Sequence, residues 1–237
     1  ALSGGVKGPW MLDASGKVLH FDGKSWSAVP GPAGAKGLRT LAAQTIQASP
    51  PATALIHDEL WLAGEDGVLF HGVPLGAGAW SWTQAAGATT GTTWLAVLPE
   101  GKAVWLAGEA GALALAQNGV ITPIVSGTTQ PLRALAATKA GGAFLVGGAG
   151  TWLEVTQGGP VVNRSIKGLE VDLRGISEVQ GTWVAAGEPT IRLKPYLALP
   201  NITEPTEDAK VGDKIVWTVK PGPSAEMHQV QITTFWL

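Results

Sequence analysis

Cysteine is absent from the 237-residue chain, and charged residues make up only 14% of it. Without thiols the chain can form no disulfide, no thiolate metal site and no cysteine nucleophile. Sixteen Lys and Arg residues against eighteen Asp and Glu residues give a net charge of −2, so we expect no nucleic-acid partner. No apolar run reaches the roughly 18 residues that a membrane helix needs, so we expect no membrane insertion of this segment.

Glycine and tryptophan are abundant instead, with 33 and 11 residues. Glycine permits tight turns, and tryptophan fills the space between packed sheets. Chains of this length often form one all-β barrel or propeller. The composition therefore favours a single all-β repeat domain.

A short cassette recurs four times and ends each time in a glycine-rich turn. Its copies are Trp61–Gly67, Trp105–Gly111, Phe144–Gly150 and Trp183–Pro189. The equivalent glycines are separated by 44, 39 and 40 residues, at positions 64, 108, 147 and 187. That interval is typical of a four-stranded propeller blade, and each copy predicts a β-hairpin.

One further strand is expected before each cassette and another after its hairpin, which makes four strands per repeat. Residues 10–26 supply a hairpin and a third strand but no preceding strand, so one blade starts incomplete. A propeller closes its ring or leaves exposed strand edges. We expect the C-terminal run His228–Leu237 to supply the missing strand. The sequence thus predicts an all-β propeller of about five four-stranded blades, closed by its N- and C-terminal strands.

The tail of the chain departs from the repeat. We expect the blades to occupy residues 1–199, and residues 200–237 to form a non-repetitive β tail that is either a closing strand or a small docked hairpin. Within the tail, Val211–Trp217 followed by His228 is similar to the opening of a cupredoxin domain. A blue-copper centre needs a cysteine, however. We therefore expect no metal and no cofactor.

The repeat resembles a known family of propellers over about residues 8–195. The resemblance rests on the order Leu132-Arg-Ala-Leu135, the Gly-x-x-Gly hairpin and the turn Asp22–Trp26, which is one residue shorter than an Asp-box turn. These features are similar to Ycf48-like photosystem-assembly factors, which have more blades than this chain can build, and to sialidase-related (BNR-like) propellers. The resemblance implies a bacterial, extracytoplasmic setting in the periplasm, at the cell surface or outside the cell.

The same resemblance implies a basic patch of arginines from the innermost strands, at positions Arg39, Arg133 and Arg174. We expect Trp94 to occupy the same position in its blade. Trp94 and Arg133 each stand fourteen residues before the recurring glycine of their cassette, which we call the cassette glycine. Four such side chains around the propeller axis could bind an anion or dock a protein. The alternative is that each arginine pairs with an acid of a neighbouring blade, such as Asp172 or Glu178.

The tryptophans divide into two groups. Those that share one cassette position with Phe144 are expected to pack between blades; they are Trp61, Trp105 and Trp183. Trp80, Trp82 and Trp94 depart from this pattern and are candidates for an exposed aromatic platform. Glutamates also recur at equivalent turns, where we expect solvated side chains rather than a cation site; they are Glu65, Glu109 and Glu188.

No motif of a known enzyme class is present. A serine nucleophile elbow, a zinc-binding His-Glu-x-x-His helix and a phosphate-binding loop are all missing, and Tyr196 is the only tyrosine available to a sialidase mechanism. We therefore expect no catalytic residues and no enzyme activity. The predicted function is a binding or display module of the cell envelope or surface that docks or adheres to a protein through its axial face. The alternatives are a lectin-like carbohydrate-binding propeller and a propeller inserted in a surface-fibre (pilin-like) subunit.

Overall fold

The computed structural model describes residues 1–47, 56–87, 90–139, 141–165, 171–179, 181–188, 191–194, 216–218 and 229–231. Their regular elements are β-strands, apart from three short 3-10 turns. The chain divides into two compact units, Ala1–Leu193 and Lys194–Leu237.

The first unit contains consecutive antiparallel sheets, which we number as blades. Blade 1 comprises β1 (Leu2–Ser3), β2 (Trp10–Leu12), β3 (Val18–Phe21) and β4 (Trp26–Val29). Blade 2 comprises β5 (Leu38–Gln47), β6 (Ile56–Gly64), β7 (Leu69–Gly76) and β8 (Ala79–Gln84). Blade 3 comprises β9 (Trp94–Glu100), β10 (Ala103–Gly108), β11 (Leu113–Gln117) and β12 (Val120–Pro123). Blade 4 comprises β13 (Leu132–Thr138), β14 (Gly142–Gly147), β15 (Trp152–Thr156) and β16 (Val162–Asn163). Blade 5 comprises β17 (Asp172–Val179), β18 (Thr182–Glu188) and β19 (Ile191–Lys194).

The hydrophobic core lies between successive blades. Four clusters of buried side chains fill the spaces between blades 1 and 2, 2 and 3, 3 and 4, and 4 and 5. The second strand of each blade is central to them, as the full burial of Leu62, Leu106 and Leu145 shows. Burying the two faces of each sheet against its neighbours is what a propeller requires. The all-β propeller is therefore confirmed, with four complete four-stranded blades and a fifth of three described strands.

The cassette aromatics pack where the repeat predicts. Trp105, Phe144 and Trp183 are buried in the spaces between blades, whereas Trp61 is half-buried beside the cluster between blades 2 and 3. Phe144 and Trp183 meet edge to face with ring centroids 4.8 Å apart, an arrangement that aromatic pairs favour. Packing between blades therefore explains the cassette aromatics.

The cassette turns have the backbone geometry of tight hairpins. Their middle residues Asp66, Ala110 and Ala149 have φ near +50°, and each is followed by a glycine of positive φ. Two consecutive positive φ angles match the twist of the flanking strands. The turns also tie neighbouring blades together, since Gly67 N–H donates to Thr92 O at 2.7 Å.

The expectation that blade 1 lacks its innermost strand is wrong. Residues Leu2 and Ser3 form β1 and pair with Met11 and Trp10, so the N-terminal segment itself completes this sheet. A strand of two residues is too short to show the alternation that identifies strands in a sequence. Of the run His228–Leu237, only β21 (Gln229–Gln231) is described, and it pairs with β20 (Val216–Thr218) in the second unit.

A buried carboxylate holds the N-terminal segment against blade 2. Asp58 is 5% exposed. It accepts hydrogen bonds from Val6 N–H at 3.0 Å, from Trp10 Nε1–H at 3.0 Å and from Thr45 Oγ1–H at 2.8 Å. Buried carboxylates need such partners because their desolvation is costly. Asp58 therefore fixes the start of the chain to the propeller.

The second unit is described only through β20 and β21, an antiparallel pair. Residues 195–215 lie outside the described part, so a domain boundary at residue 199 stays a prediction. Among the described residues, no helix has the length and apolarity to cross a membrane.

Candidate functional site

The first strand of blades 2 to 5 begins with a β-bulge. In blade 4, Leu132 pairs with Gly147, while Ala134 pairs with Val146, so Arg133 is the extra residue. A bulge re-aims the side chain of its extra residue. The extra residues of the other blades, which we call the bulge residues together with Arg133, are Arg39 in blade 2, Leu95 in blade 3 and Arg174 in blade 5.

Trp94 does not belong to this set, and its assignment to the arginine position is wrong. In blade 3 it pairs with the cassette glycine Gly108, as Leu132 does with Gly147 in blade 4. The hairpin loop between the first two strands spans two residues in blade 3 and three in blade 4. Residues that stand the same number of positions before the cassette glycine therefore occupy different places in the first strand. A slip of one residue moves a side chain to the opposite face of a strand. Leu95 is the true counterpart of the arginines.

Trp94 is 1% exposed and lies in the cluster between blades 2 and 3. Its Nε1 has no hydrogen-bond partner among the described residues. A buried indole of this kind stabilises the core and is out of reach of a docking protein or a sugar. Trp94 is therefore removed both from the axial site and from the aromatic platform.

The cassette glycine makes the bulge possible. A Cβ at Gly147 would clash with the carbonyl oxygen of Pro131, the residue before the first strand. The same carbonyl accepts a hydrogen bond from Gly148 N–H at 2.9 Å. Equivalent close approaches recur at the other cassette glycines, Gly64, Gly108 and Gly187. The glycine and the bulge residue are thus two parts of one structural unit.

Arg39 forms an ion pair within its own blade. Its Nε–H donates to Glu65 Oε1 at 3.1 Å, and its Nη2 also binds that oxygen. The Arg39 side chain is 56% exposed and that of Glu65 is 45% exposed. Exposed ion pairs of this kind contribute little to stability, so the guanidinium stays accessible to another carboxylate.

Arg133 forms its ion pair with the neighbouring blade. Its Nη2 lies 3.2 Å from Asp172 Oδ2, with side chains 35% and 37% exposed. The Nε of Arg133 is buried and has no hydrogen-bond partner among the described residues. Arg174 occupies the equivalent position in blade 5 and is exposed. The pairing of an arginine with a neighbouring blade's acid is thus seen at Arg133.

The bulge residues lie on first strands that pack side by side from blade 2 to blade 5. Three planar guanidiniums along one end of these strands can form paired hydrogen bonds to carboxylates. Glu65 and Asp172 partly neutralise the local charge. The arrangement can therefore recognise individual acidic groups and does not form a broad basic surface.

Trp80 and Trp82 lie between blades 1 and 2 and are half-buried. Trp80 meets Trp10 edge to face at 5.5 Å and stacks on Trp82 at 5.8 Å. Trp82 Nε1–H donates to Pro30 O at 2.8 Å. Packing between the blades therefore occupies much of the surface of both rings, which leaves a smaller aromatic platform than the sequence predicts.

Two aspartates stabilise turns of blade 1. Backbone N–H groups of Ser25 and Lys24 donate to the Asp22 carboxylate and hold its pKa below the usual value. The backbone N–H of Lys17 and the Ser15 hydroxyl lower the pKa of Asp13 in the same way. Hydrogen bonds to the charged form have this effect. Asp22 thus serves the turn that resembles an Asp box.

A polar cluster on blade 2 is absent from the sequence-based expectations. Glu59 carboxylate oxygens lie 2.7 Å from His71 Nε2 and 3.6 Å from His57 Nε2, and the His71 ring stacks on Trp61 at 3.9 Å. The spacing of His57 and Glu59 places them on one face of a strand, but only the pairing of β6 with β7 brings His71 beside them. In the described part of the chain, no group of three His, Cys, Asp or Glu side chains could hold a metal ion.

Comparisons with known proteins give a structural likeness only. No protein-family model matches the chain, and no curated protein matches it. Ten chains among solved structures match, including one described as "YCF48 bound to D1 peptide". That chain shares 15% identity with a TM-score of 0.47, over 81% of this chain and 75% of the other. The fold assignment rests on the strand topology above, and the resemblance to sialidase-related propellers stays a prediction.

Proposed function

We propose that this chain is a non-catalytic protein-binding module that recognises acidic groups of a polypeptide through its bulge arginines. The observation that carries the proposal is the recurrence of Arg39, Arg133 and Arg174 at one structural position of three blades. Arginine is the residue best suited to planar recognition of carboxylates. Because the bulge at the cassette glycine sets this position, the scaffold would present the three guanidiniums without a large structural rearrangement.

The existing ion pairs favour exchange of partners over permanent structure. Arg39 and Arg133 bind carboxylates in pairs that are more than one third exposed, where water and salt weaken the attraction. An incoming carboxylate can therefore replace Glu65 or Asp172 at little cost.

The cell-envelope setting and a role in adhesion belong to the same proposal. The setting rests on the sequence resemblance, whereas the alternative of a propeller inserted in a surface fibre rests on the non-repetitive tail. Trp94 is buried and cannot contact a sugar as the lectin alternative requires, and Trp80 and Trp82 are half-buried between blades. Protein docking is therefore the function that the geometry supports best.

The test uses the full 237-residue chain and a displayed library of random 12-residue peptides as the probe. The best selected peptide is labelled with a fluorophore, and its Kd is measured by anisotropy. We expect the selected peptides to share acidic groups. Hydrogen bonds to charged groups contribute about 1.5–3 kcal/mol, so the triple variant Arg39→Ala, Arg133→Ala, Arg174→Ala should weaken binding at least ~10-fold.

A charge-matched control replaces three exposed cations elsewhere, Lys24→Ala, Lys102→Ala and Arg164→Ala. Like Arg39 and Arg133, Arg164 forms a surface ion pair, with Glu154 at 2.9 Å. This control should keep the affinity within about threefold, since exposed charges away from a contact act only through screened fields. If the triple arginine variant unfolds, the single reversal Arg174→Glu takes its place. Equal affinities for variant and control, or no selected peptide above background, would refute the proposal.

A further inference from the structure

The outer strand of blade 2, β8 (Ala79–Gln84), has an edge with no strand paired to it in the described part of the chain. Four of its six residues are exposed, namely Ala79, Ser81, Thr83 and Gln84. An unpaired edge presents backbone donors and acceptors that can pair with another chain. The edge offers backbone groups, whereas the bulge arginines offer side chains.

The hydrogen-bond pattern shows which residues of β8 point outward. Ala85 N–H donates to Leu69 O at 2.9 Å, so Ala85 belongs to a hydrogen-bonded pair with β7. Hydrogen-bonded and non-hydrogen-bonded pairs alternate along an antiparallel ladder. Ser81 and Thr83 therefore bond to β7, whereas the N–H and C=O groups of Trp80, Trp82 and Gln84 point away from it, as the pairs in the β7–β8 register require.

The next outward residue confirms this alternation and limits the free edge. Ala86 N–H donates to Gly119 O at 2.7 Å, and Ala86 O accepts from Ile121 N–H at 2.9 Å, in a parallel bridge to blade 3. The edge groups of Ala86 are thus already used. The other side ends at the hairpin turn, where Ala79 pairs with Gly76, next to a bulge in β7 between Pro74 and Gly76. The free edge between them is about 17 Å long at the usual rise per residue.

The other described outer strands of the four complete blades lack such an edge. The strand β12 of blade 3 is bridged to Ala86 and ends in Pro123. The strand β16 has only two residues, and β4 has four and is followed by Pro30. Short length, proline and covering contacts are the usual protections of a strand edge. The strand β8 contains neither proline nor a charged residue.

We infer that the β8 edge is a docking site for an extended peptide segment of a partner protein, which would pair as an additional strand of blade 2. Three outward residues offer up to six main-chain hydrogen bonds, which supply affinity in strand addition. Side chains of the added strand would alternate between the face of Trp80 and Trp82 and the face of Ser81 and Thr83. The preferred segment therefore has apolar or aromatic residues at alternate positions with uncharged polar residues between them.

The length of the edge favours a peptide over a second copy of this chain. Stable protein interfaces bury about 1,200–2,000 Å² in total, far more than five residues of one strand edge provide. A segment of about five to seven residues matches the free edge at the usual rise per residue. At Ala86, two residues beyond β8, one outward residue already pairs with a residue of another sheet.

The experiment uses the full chain with a displayed library of random heptapeptides as the probe, selected in parallel on wild type and on Gln84→Pro. Proline at this position removes an outward N–H but no bond of β8 to β7, so the sheet should stay intact. The control Gln84→Ala removes the side chain and keeps the N–H. We expect peptides that bind wild type and Gln84→Ala equally and Gln84→Pro at least ~10-fold more weakly, the loss expected from about 1.4 kcal/mol.

Amide exchange of the labelled protein tests the geometry directly. In the free chain the amides of Trp80, Trp82 and Gln84 should exchange faster than those of Ser81 and Thr83, because only the latter are bonded. Saturating peptide should slow the outward amides at least ~10-fold and leave the inward ones unchanged. Two further peptides are compared, each N-methylated at every second residue but at opposite sets of positions. Only the peptide whose methylated N–H groups face β8 should lose binding.

Several outcomes would overturn this inference. They are binding that is equal in Gln84→Pro and wild type, outward amides that are unaffected by the peptide, and a concentration-dependent dimer in sedimentation that Gln84→Pro abolishes. The last result would assign the edge to a second copy. The triple arginine variant should bind these heptapeptides normally, so failure at the edge and failure at the arginines are distinguishable.

Discussion

Blades 3 and 4 are built on the same cassette but differ at their first strand. Both have a hairpin turn with a middle alanine of positive φ, and both place a buried residue opposite the cassette glycine, Trp94 in one and Leu132 in the other. The bulge residue is Leu95 in blade 3 and Arg133 in blade 4. The turn and the buried position are thus repeated, while the bulge residue varies.

The difference separates residues that hold the blades together from those available for binding. The cassette glycine and the residue opposite it are constrained by close backbone approach and burial. The bulge residue is constrained by neither, since Arg133 is about one third exposed and Leu95 is half-buried. Substitutions that alter stability should therefore cluster at the cassette glycine and at the residue opposite it, and substitutions that alter binding should cluster at the bulge residue.

The largest effect is expected at Trp94. Replacing a fully buried tryptophan by alanine removes its packing and leaves a cavity, which costs about 3–5 kcal/mol. The measurement is the free energy of unfolding from urea titration of Trp94→Ala. The matched control is Leu95→Ala, one residue along the strand, where the side chain is half-buried.

Leu95→Ala should cost less than about 1.5 kcal/mol, because less apolar area leaves water. A larger loss for Leu95→Ala than for Trp94→Ala would mean that the register of β9 is shifted by one residue. Trp94 would then stand with the arginines, as counting from the cassette glycine predicts.

The second effect is expected at the cassette glycine of blade 4. In Gly147→Ala the new Cβ would meet the Pro131 carbonyl oxygen, so the bulge must shift, at a cost of about 1–3 kcal/mol. The control is Gly175→Ala in β17, where a Cβ meets nothing within 4 Å. Its effect should stay within about 0.5 kcal/mol of zero. Equal losses in thermal unfolding of the two variants would contradict a specific role of the cassette glycine.

The repeat could be predicted from the sequence because it is local. Each cassette keeps its strand, turn and strand within a few consecutive residues, so the period and the hairpins are visible without the fold. Arg39, Arg133 and Arg174 each follow a leucine, so their equivalence is also visible in the sequence, whereas their role in binding stays a prediction. Trp94 was misplaced because a loop of variable length separates it from the glycine that served as the reference.

Contacts between distant segments could not be predicted. The strand β1 has two residues, and the bonds of Asp58 to Val6 and Trp10 join residues about fifty positions apart. The packing of Trp80 and Trp82 depends likewise on Trp10 and Pro30 of another blade. Such contacts follow from how the sheets stack, which the pattern of a single repeat does not contain.

The smallest effect is expected at the bulge residue itself. Arg133 and Asp172 form a pair in which each side chain is more than one third exposed, so a double-mutant cycle of Arg133→Ala and Asp172→Ala should give a coupling of about 0–1 kcal/mol. The coupling should fall as salt rises, because the charges are screened. A coupling above 2 kcal/mol would make Arg133 a structural residue and would leave blade 4, like blade 3, without a bulge side chain available for binding.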